Sequence, residues 1–426
     1  YSDRLAIFED NMDSDKVSKS EIPADDEMVR VIVQLDADSL LDVRNRTNAS
    51  MSMLDFQQTD AAKAQLKDIA NLQLSVMNTM ESKGIPSSFT FSYTSVVSGF
   101  AAQVPYGKIH EIKSIDGVED VVLCQTYYTD SMGSATLGQA LTAAEVAAYS
   151  NNTQYQGEGM LIGILDTGLD VNHEAFANAP AVQKLQKSSL SKLLYQISQG
   201  EDGKTNVTAY SYAALWYAQK HSSSSLVLLT EDDLYKSGKV PFAFDYADAD
   251  ADVIPSADAV EKYGNDHGTH VAGIIGAVGD NSTGVAGVNW KVKILTVGVF
   301  SYIPSWDDTG AYDSDTMEGL NYIAGLKRSG VNIVAANMSL GGARELQSDN
   351  SAYGQAIKAA SKAGEKGILI CMAAGNDGYD LDELTDDYGN EMRNYPSSYK
   401  FAATLSVGAT ASDDKIAIWS PQGSNY

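Results

Sequence analysis

The sequence predicts an α/β protein, with a parallel sheet flanked by helices over residues 159–426 and a smaller α+β unit over residues 28–125. Three observations carry this reading. From Met160 onward, continuous apolar runs alternate with helical stretches, the pattern of strands covered on both faces of a parallel sheet. Upstream, a shorter series of segments reads in the order β-α-β-β-α-β. The composition is globular, with 44% hydrophobic residues in a chain of 426, long enough for about two or three cores.

Each element has its own signal. In the upstream unit, Val29–Leu35 reads as a strand. Ala61–Ser82 is rich in Ala, Leu, Gln, Lys and Met at helical spacing, and Gly84 and Pro86 stop it. Phe89–Val104 reads as two strands broken near Ser98 and Gly99, Lys108–Ser114 as a short helix, and Gly117–Leu123 as a closing strand. That order is the ferredoxin-like arrangement. Residues 1–27 carry nine acids against three bases and form an acidic flexible leader, without the charged-then-apolar pattern of a signal peptide. Residues 126–158 read as a linker with a short helix over Gly138–Tyr149. In the larger unit the predicted strands are Met160–Leu165, Phe242–Tyr246, Val292–Phe300, Asn332–Leu340, Gly367–Gly375 and Ala403–Ala409. The predicted helices are Thr269–Val278, Thr316–Arg328 and Ser351–Lys366, and residues 177–240 read as a polar surface insertion.

Charge and composition exclude several partners. The formal net charge of −26 argues against nucleic acid and anionic membrane, which require basic patches. No apolar run approaches the roughly 20 residues of a membrane span. The two cysteines, Cys124 and Cys371, cannot make a disulfide framework, and they fall in different units.

Four motifs follow separate strands of the larger unit. Asp166-Thr-Gly168 places a carboxylate at the carboxyl edge of a parallel sheet, where ligands and catalytic groups collect; the simpler alternative is an Asx-turn closing the strand. An aspartic protease would need a second Asp-Thr-Gly, and none is present. Asn265–Gly276 puts His267 at the start of an apolar helix. A zinc site would need two histidines four residues apart with a Glu beside the first; His267 and His270 are three apart with no Glu between them, so no metal is assigned and His270 is expected in the core or supporting His267. A helix N-terminus disfavours an imidazolium, so a catalytic His267 would need a buried carboxylate, which Asp166 could supply. Ser339, Leu340, Gly341 and Gly342 form either a plain turn or an exposed strand edge for an extended peptide. Asn376 either caps a turn or offers its amide to a developing oxyanion.

Taken together, Asp166-Thr-Gly, His267-Gly-Thr-His-Val-Ala-Gly, Ser339-Leu-Gly-Gly and Ala374-Gly-Asn376 resemble the subtilisin-like (subtilase) serine proteases motif by motif, over about residues 159–426. Residues 28–125 resemble the inhibitory propeptide of the same family. Pro241–Asp248 and the insertion before it look like the cell-envelope branch that includes lactocepin and the C5a peptidases. The resemblance implies a secreted or cell-envelope-associated bacterial serine endopeptidase in zymogen form, acting on protein or peptide substrates and held by its own propeptide as an intramolecular inhibitor. It implies that Asp166 orients His267, that Asn376 donates to the oxyanion, and that Ser339, Leu340 and Gly341 pair with substrate backbone while Gly342 leaves room beside the specificity pocket. The propeptide's tail, about Leu123–Met132, would lie along that edge as an added strand. No cofactor is implied beyond an optional structural calcium, for which the acidic stretches Asp245–Asp252 and Asp377–Glu391 are candidates.

The chain departs from the family pattern at the nucleophile. The family's serine sits in Gly-Thr-Ser-Met-Ala, which occurs nowhere in residues 1–426. Ser424-Asn-Tyr426 matches a turn that precedes the serine segment in the family, so the sheet is expected to be incomplete at its C-terminal side and the serine to lie beyond residue 426. Three accounts stand: a fragment, a nicked enzyme with the serine on a second chain, or a protein that has lost catalysis. On each, this chain alone is expected to be inactive. The competing reading is a non-catalytic subtilase-like protein that binds peptides or proteins.

Overall fold

A computed structural model describes residues 23–129, 156–177, 235–410, 416 and 420, apart from positions 52, 58, 249, 305–306, 329, 381–382 and 387. Most of the predicted leader, the helix at 138–149, most of the 177–240 insertion and the Ser424–Tyr426 turn lie outside the described residues.

The upstream unit begins with strand β1 (Met28–Leu35) and continues through helices α1 (Leu40–Thr47), α2 (Met53–Gln57) and α3 (Asp60–Ser82). Strands β2 (Ser88–Tyr93) and β3 (Gly99–Pro105), helix α4 (Ile109–Lys113) and β4 (Val118–Leu123) complete it. The strands pair antiparallel in the order β2-β3-β1-β4, the ferredoxin-like order. Strand alternation decides what each face meets. Val29, Val31, Val33 and Leu35 share a core with Val76, Met77 and Met80 of α3. Ile32 and Ala101 point the other way, into a core shared with Leu295, Val297, Leu320 and Ile323 of the larger unit. The two units are thus packed directly together. Helices α1 and α2 were not predicted. Helix α1 is short and polar, but Ser39 and Asp42 form a capping box that was readable.

The larger unit centres on a six-stranded sheet in the order β15-β13-β11-β6-β8-β7. These strands are β6 (Leu161–Asp166), β7 (Phe242–Asp245), β8 (Lys293–Gly298), β11 (Ile333–Met338), β13 (Leu369–Ala373) and β15 (Thr404–Val407), and every pairing is parallel. Both faces are covered, as continuous apolar strands require. Leu161, Leu165, Leu295 and Val297 face helix α7 (Asp313–Arg328) and helix α8 (Ala352–Ser361), through Leu320, Ile323, Ala356 and Ile357. Ile164 and Ile294 face Ala272 of α6 (His267–Gly276), which follows the short helix α5 (Ala257–Tyr263).

A third sheet has the order β14-β12-β5-β10-β9, with β9 (Phe300–Ile303), β10 (Asp308–Tyr312), β12 (Leu340–Glu345) and β14 (Met392–Tyr395) around β5 (Thr126–Thr129). Two predicted strands were too long. Val292–Phe300 splits into β8 and β9, and the end of Asn332–Leu340 departs as β12. An apolar run marks a strand but does not show where the chain leaves one sheet for another.

Candidate active site

Asp166 is the last residue of β6 and is fully buried. Its Oδ1 accepts the Thr167 backbone N–H at 2.8 Å and lies 2.6 Å from His267 Nδ1. His267 opens α6 and is 8% exposed. Asp166 Oδ2 is buried without a hydrogen-bond partner, so the ring is the main compensation for the carboxylate's charge. A proton on Nδ1 shared with Asp166 fixes the tautomer and leaves Nε2 as the ring's acceptor.

The residues between these two make the contact possible. Gly168 adopts φ 107°, and a Cβ there would sit 2.5 Å from Val253 O. A Cβ on Gly268 would sit 2.2 Å from Gly168 O and 3.1 Å from Asp166 Cβ, so only glycine lets the first turn of α6 close onto the end of β6. Thr167 ties the motifs together: its hydroxyl donates to Asn265 O at 2.8 Å and accepts from Gly268 N at 3.0 Å. Thr269 Oγ1 accepts from Asp170 N at 2.9 Å. Asp166 and His267 were predicted together; the two threonines that brace them were missed, although both are the middle residues of the motifs. His270 is exposed and not in the core, because with Ile274 it lies on the outward face of α6, away from the stripe of Gly268, Ala272 and Gly276.

The peptide edge lies beside this pair. Met338 of β11 is in register with Leu165 of β6, so Ser339 and Asp166 each come next along their chains at the same edge of the sheet. Ser339 Oγ accepts from Asn337 Nδ2 at 2.9 Å. Leu340 then pairs with Thr129, and Gly341 with Tyr128. On its other side β5 pairs with β10, through Tyr127↔Ala311 and Thr126↔Tyr312. No β10–β12 pairing is present among the described residues, so β5 fills a groove between them. Gly342 pairs with Tyr395 instead, and its missing side chain gives space to the Arg344 guanidinium. Asn376 follows β13, just after Gly375 at φ 110°, on the same edge of the main sheet.

Around β5 the carboxylates are strongly perturbed. Burial pushes Asp313 up to about 7, against hydrogen bonds from Gln125 and Cys124. Burial likewise pushes Asp315 up to about 6, although Arg30 of β1 lies 2.6 Å away and opposes the shift. Burial also pushes Asp245, at the end of β7, up to about 7. Asp245 Oδ1 accepts from Ala247 N and Asp248 N, Asp250 Oδ1 from Asp252 N, and Asp252 Oδ1 from Ile254 N. These carboxylates cap their own turns, and among the described residues no group of three or more acid, His or Cys side chains converges.

Residues 157–426 match the family described as Peptidase_S8, the subtilase family, over well more than half of the chain. The chain belongs to the subtilase family. Its parallel sheet flanked by helices is the subtilisin-like fold. Relatives include the PII-type proteinase of Lacticaseibacillus paracasei, 26% identical over 92% of this chain and 18% of that protein. The PI-type proteinase of Lactococcus lactis subsp. cremoris is 28% identical over 74% of this chain and 14% of its own length. The extracellular basic protease of Dichelobacter nodosus is 35% identical over 38% of this chain and 24% of its own. The chain thus spans less than a fifth of the two lactic proteinases. No helix among the described residues is long and apolar enough to cross a membrane.

Proposed function

We propose that the protein is a secreted subtilisin-like serine endopeptidase in zymogen form, with residues 28–125 as propeptide and β5 as the propeptide's tail seated where substrate binds. The observation that carries the proposal is the pairing of Thr129 with Leu340 and Tyr128 with Gly341, on an edge level with the buried Asp166–His267 contact. An extended peptide laid along that edge presents its backbone to the pair, as β-strand addition does generally.

In this mechanism Asp166 holds His267 by Nδ1, so Nε2 takes the proton of a serine hydroxyl as the hydroxyl oxygen attacks the peptide carbonyl. The imidazolium that forms is balanced by Asp166. It then protonates the leaving amine, and the carbon–nitrogen bond breaks to leave an acyl-serine that water hydrolyses. Asn376, at the end of β13, donates its amide to the oxyanion; removing such a donor costs about 10²–10³-fold in rate. The serine is supplied by sequence outside residues 1–426, because no Gly-Thr-Ser-Met-Ala segment occurs within them. Export is supported by the extracellular relative from Dichelobacter nodosus.

The 426-residue chain alone is expected neither to hydrolyse casein nor to take up a fluorophosphonate, whereas the full-length protein does both. Fluorophosphonate-sensitive hydrolysis by the 426-residue chain would place the nucleophile inside it. A full-length protein that binds peptide without cutting would favour the non-catalytic alternative.

A further inference from the structure

We propose that Arg344 is a substrate-positioning residue that clamps an extended peptide in the groove between β10 and β12 and makes the groove prefer an aromatic side chain where Tyr127 now sits. The inference rests on reading β5 as a seated peptide.

Arg344 is on β12, three residues beyond the Gly341 that pairs with Tyr128. Its guanidinium is half-buried and forks. Nη1 donates to Ala343 O at 2.7 Å, on its own strand, and Nη2 reaches across to donate to Thr126 O of β5. The same group lies over the Tyr127 ring, with Cζ 5.6 Å from the centroid. Tyr127 is only 1% exposed, and its ring also lies 5.4 Å from that of Tyr353. A planar, delocalised cation is suited to this double task, because one face can stack while the edges donate.

The charge around Arg344 argues that its partner is the contents of the groove. The chain holds 56 acidic residues against 30 basic ones, yet among the described residues Arg344 forms no ion pair. Directly opposite on β14 stands Arg393, and like charges paired across strands are unfavourable. Arg393 is balanced by Glu391, while among the described residues Arg344 is met by two backbone carbonyls and a ring. Gly342 lies directly against this guanidinium: a Cβ there would come within 3.3 Å of Arg344 Nη1, a tight contact. This like-charge pair across β12 and β14, with no carboxylate answering Arg344 among the described residues, breaks a local rule, and such a break marks a functional position.

The bond to Thr126 O holds any peptide, since every residue offers a backbone carbonyl whatever its side chain. The ring contact is selective. An aliphatic side chain lacks the quadrupole that attracts the guanidinium, and a basic one is repelled.

The test uses the 426-residue chain, with its own β5 as the bound peptide, and measures amide hydrogen exchange over residues 126–129. R344A should speed that exchange at least about tenfold, with β1 and β14 unchanged. R344K should recover only part of the protection. Y127F should match the native chain, because the ring and not the hydroxyl is read. Y127L should speed exchange about tenfold with Arg344 present and no more than about threefold in an R344A background. Protected native β5 with no effect of R344A overturns the clamp and leaves the zymogen reading standing. Equal effects of Y127L in both backgrounds overturn the aromatic preference. If residues 126–129 of the native chain exchange like an open segment, the seated-peptide reading fails and the clamp fails with it.

Discussion

Two buried ion pairs in this molecule have nearly the same geometry and opposite meanings. Asp166 and His267 meet at 2.6 Å, with side chains 0% and 7% exposed, and Asp315 and Arg30 also meet at 2.6 Å, with side chains 0% and 11% exposed. Distance and burial therefore do not separate chemistry from architecture. What separates them is the partner and the setting. His267 is an imidazole, whose second ring nitrogen can accept a proton, and it is held inside one unit by Thr167, Gly268 and Gly168. Arg30 stays charged throughout the accessible range, comes from β1 of the other unit, and also stacks on Tyr312 at 4.2 Å. In the proposed function the first pair relays a proton at the edge of the main sheet. The second is a joint between units, and its carboxylate is still pushed up to about 6 because burial outweighs the guanidinium.

Breaking each pair should sharpen the contrast. In the full-length protein, Asp166→Asn should lower kcat about 10⁴-fold with little change in unfolding midpoint, because the tautomer is lost while the shape is kept. Asp315→Ala should do the reverse, costing about 3 kcal/mol or more in urea unfolding by leaving Arg30 buried and unpaired. Replacing both Arg30 and Asp315 with apolar residues of similar size should recover most of that loss. Gly268→Ala falls between the two: its Cβ must push α6 off Gly168 O, and a shift of about 1 Å of His267 should cost about 10²-fold in rate.

The smallest effect is on pH dependence. The carboxyl of Asp315 is raised to about 6 when docked, above the roughly 3.9 of an exposed aspartate, so the docked form holds the proton more tightly. Its contribution to stability is complete below about pH 4 and is lost as pH rises through about 6. Asp315 should therefore contribute a fall in the urea midpoint of the 426-residue chain between pH 4 and pH 7, equivalent to about 2–3 kcal/mol for two pKa units, on top of falls of the same sign from Asp313 and Asp245, both raised to about 7. Asp315→Asn should flatten the slope. A native midpoint that rises over this range would contradict the assignment.

The same contrast explains what was legible in the sequence. Asp166 and His267 announce themselves through short motifs whose glycines have one steric purpose, and the parallel sheet is visible in its apolar runs. The ferredoxin-like order of the small unit was readable from its strand-like runs and from the helix that Gly84 and Pro86 stop between the first and second strands. The joint was not readable: Arg30 and Asp315 lie 285 residues apart, and nothing local marks either one. Arg344 was missed for a related reason. Its neighbour Gly342 is expected to leave room beside the specificity pocket, and what lies against that glycine in the fold, the Arg344 guanidinium, carries no motif of its own. Sequence motifs report contacts that a short segment makes with itself or with the next motif. Contacts between units depend on register, which one sequence does not display.

The central claim is that Asp166 and His267 serve a nucleophile that frees the enzyme from its own β5. Intact-mass measurement of the full-length protein carrying His267→Ala tests this most directly. The account predicts that the native protein sheds the segment through about Thr129, while the variant keeps it covalently attached. A variant that loses the segment as cleanly as the native protein would contradict it.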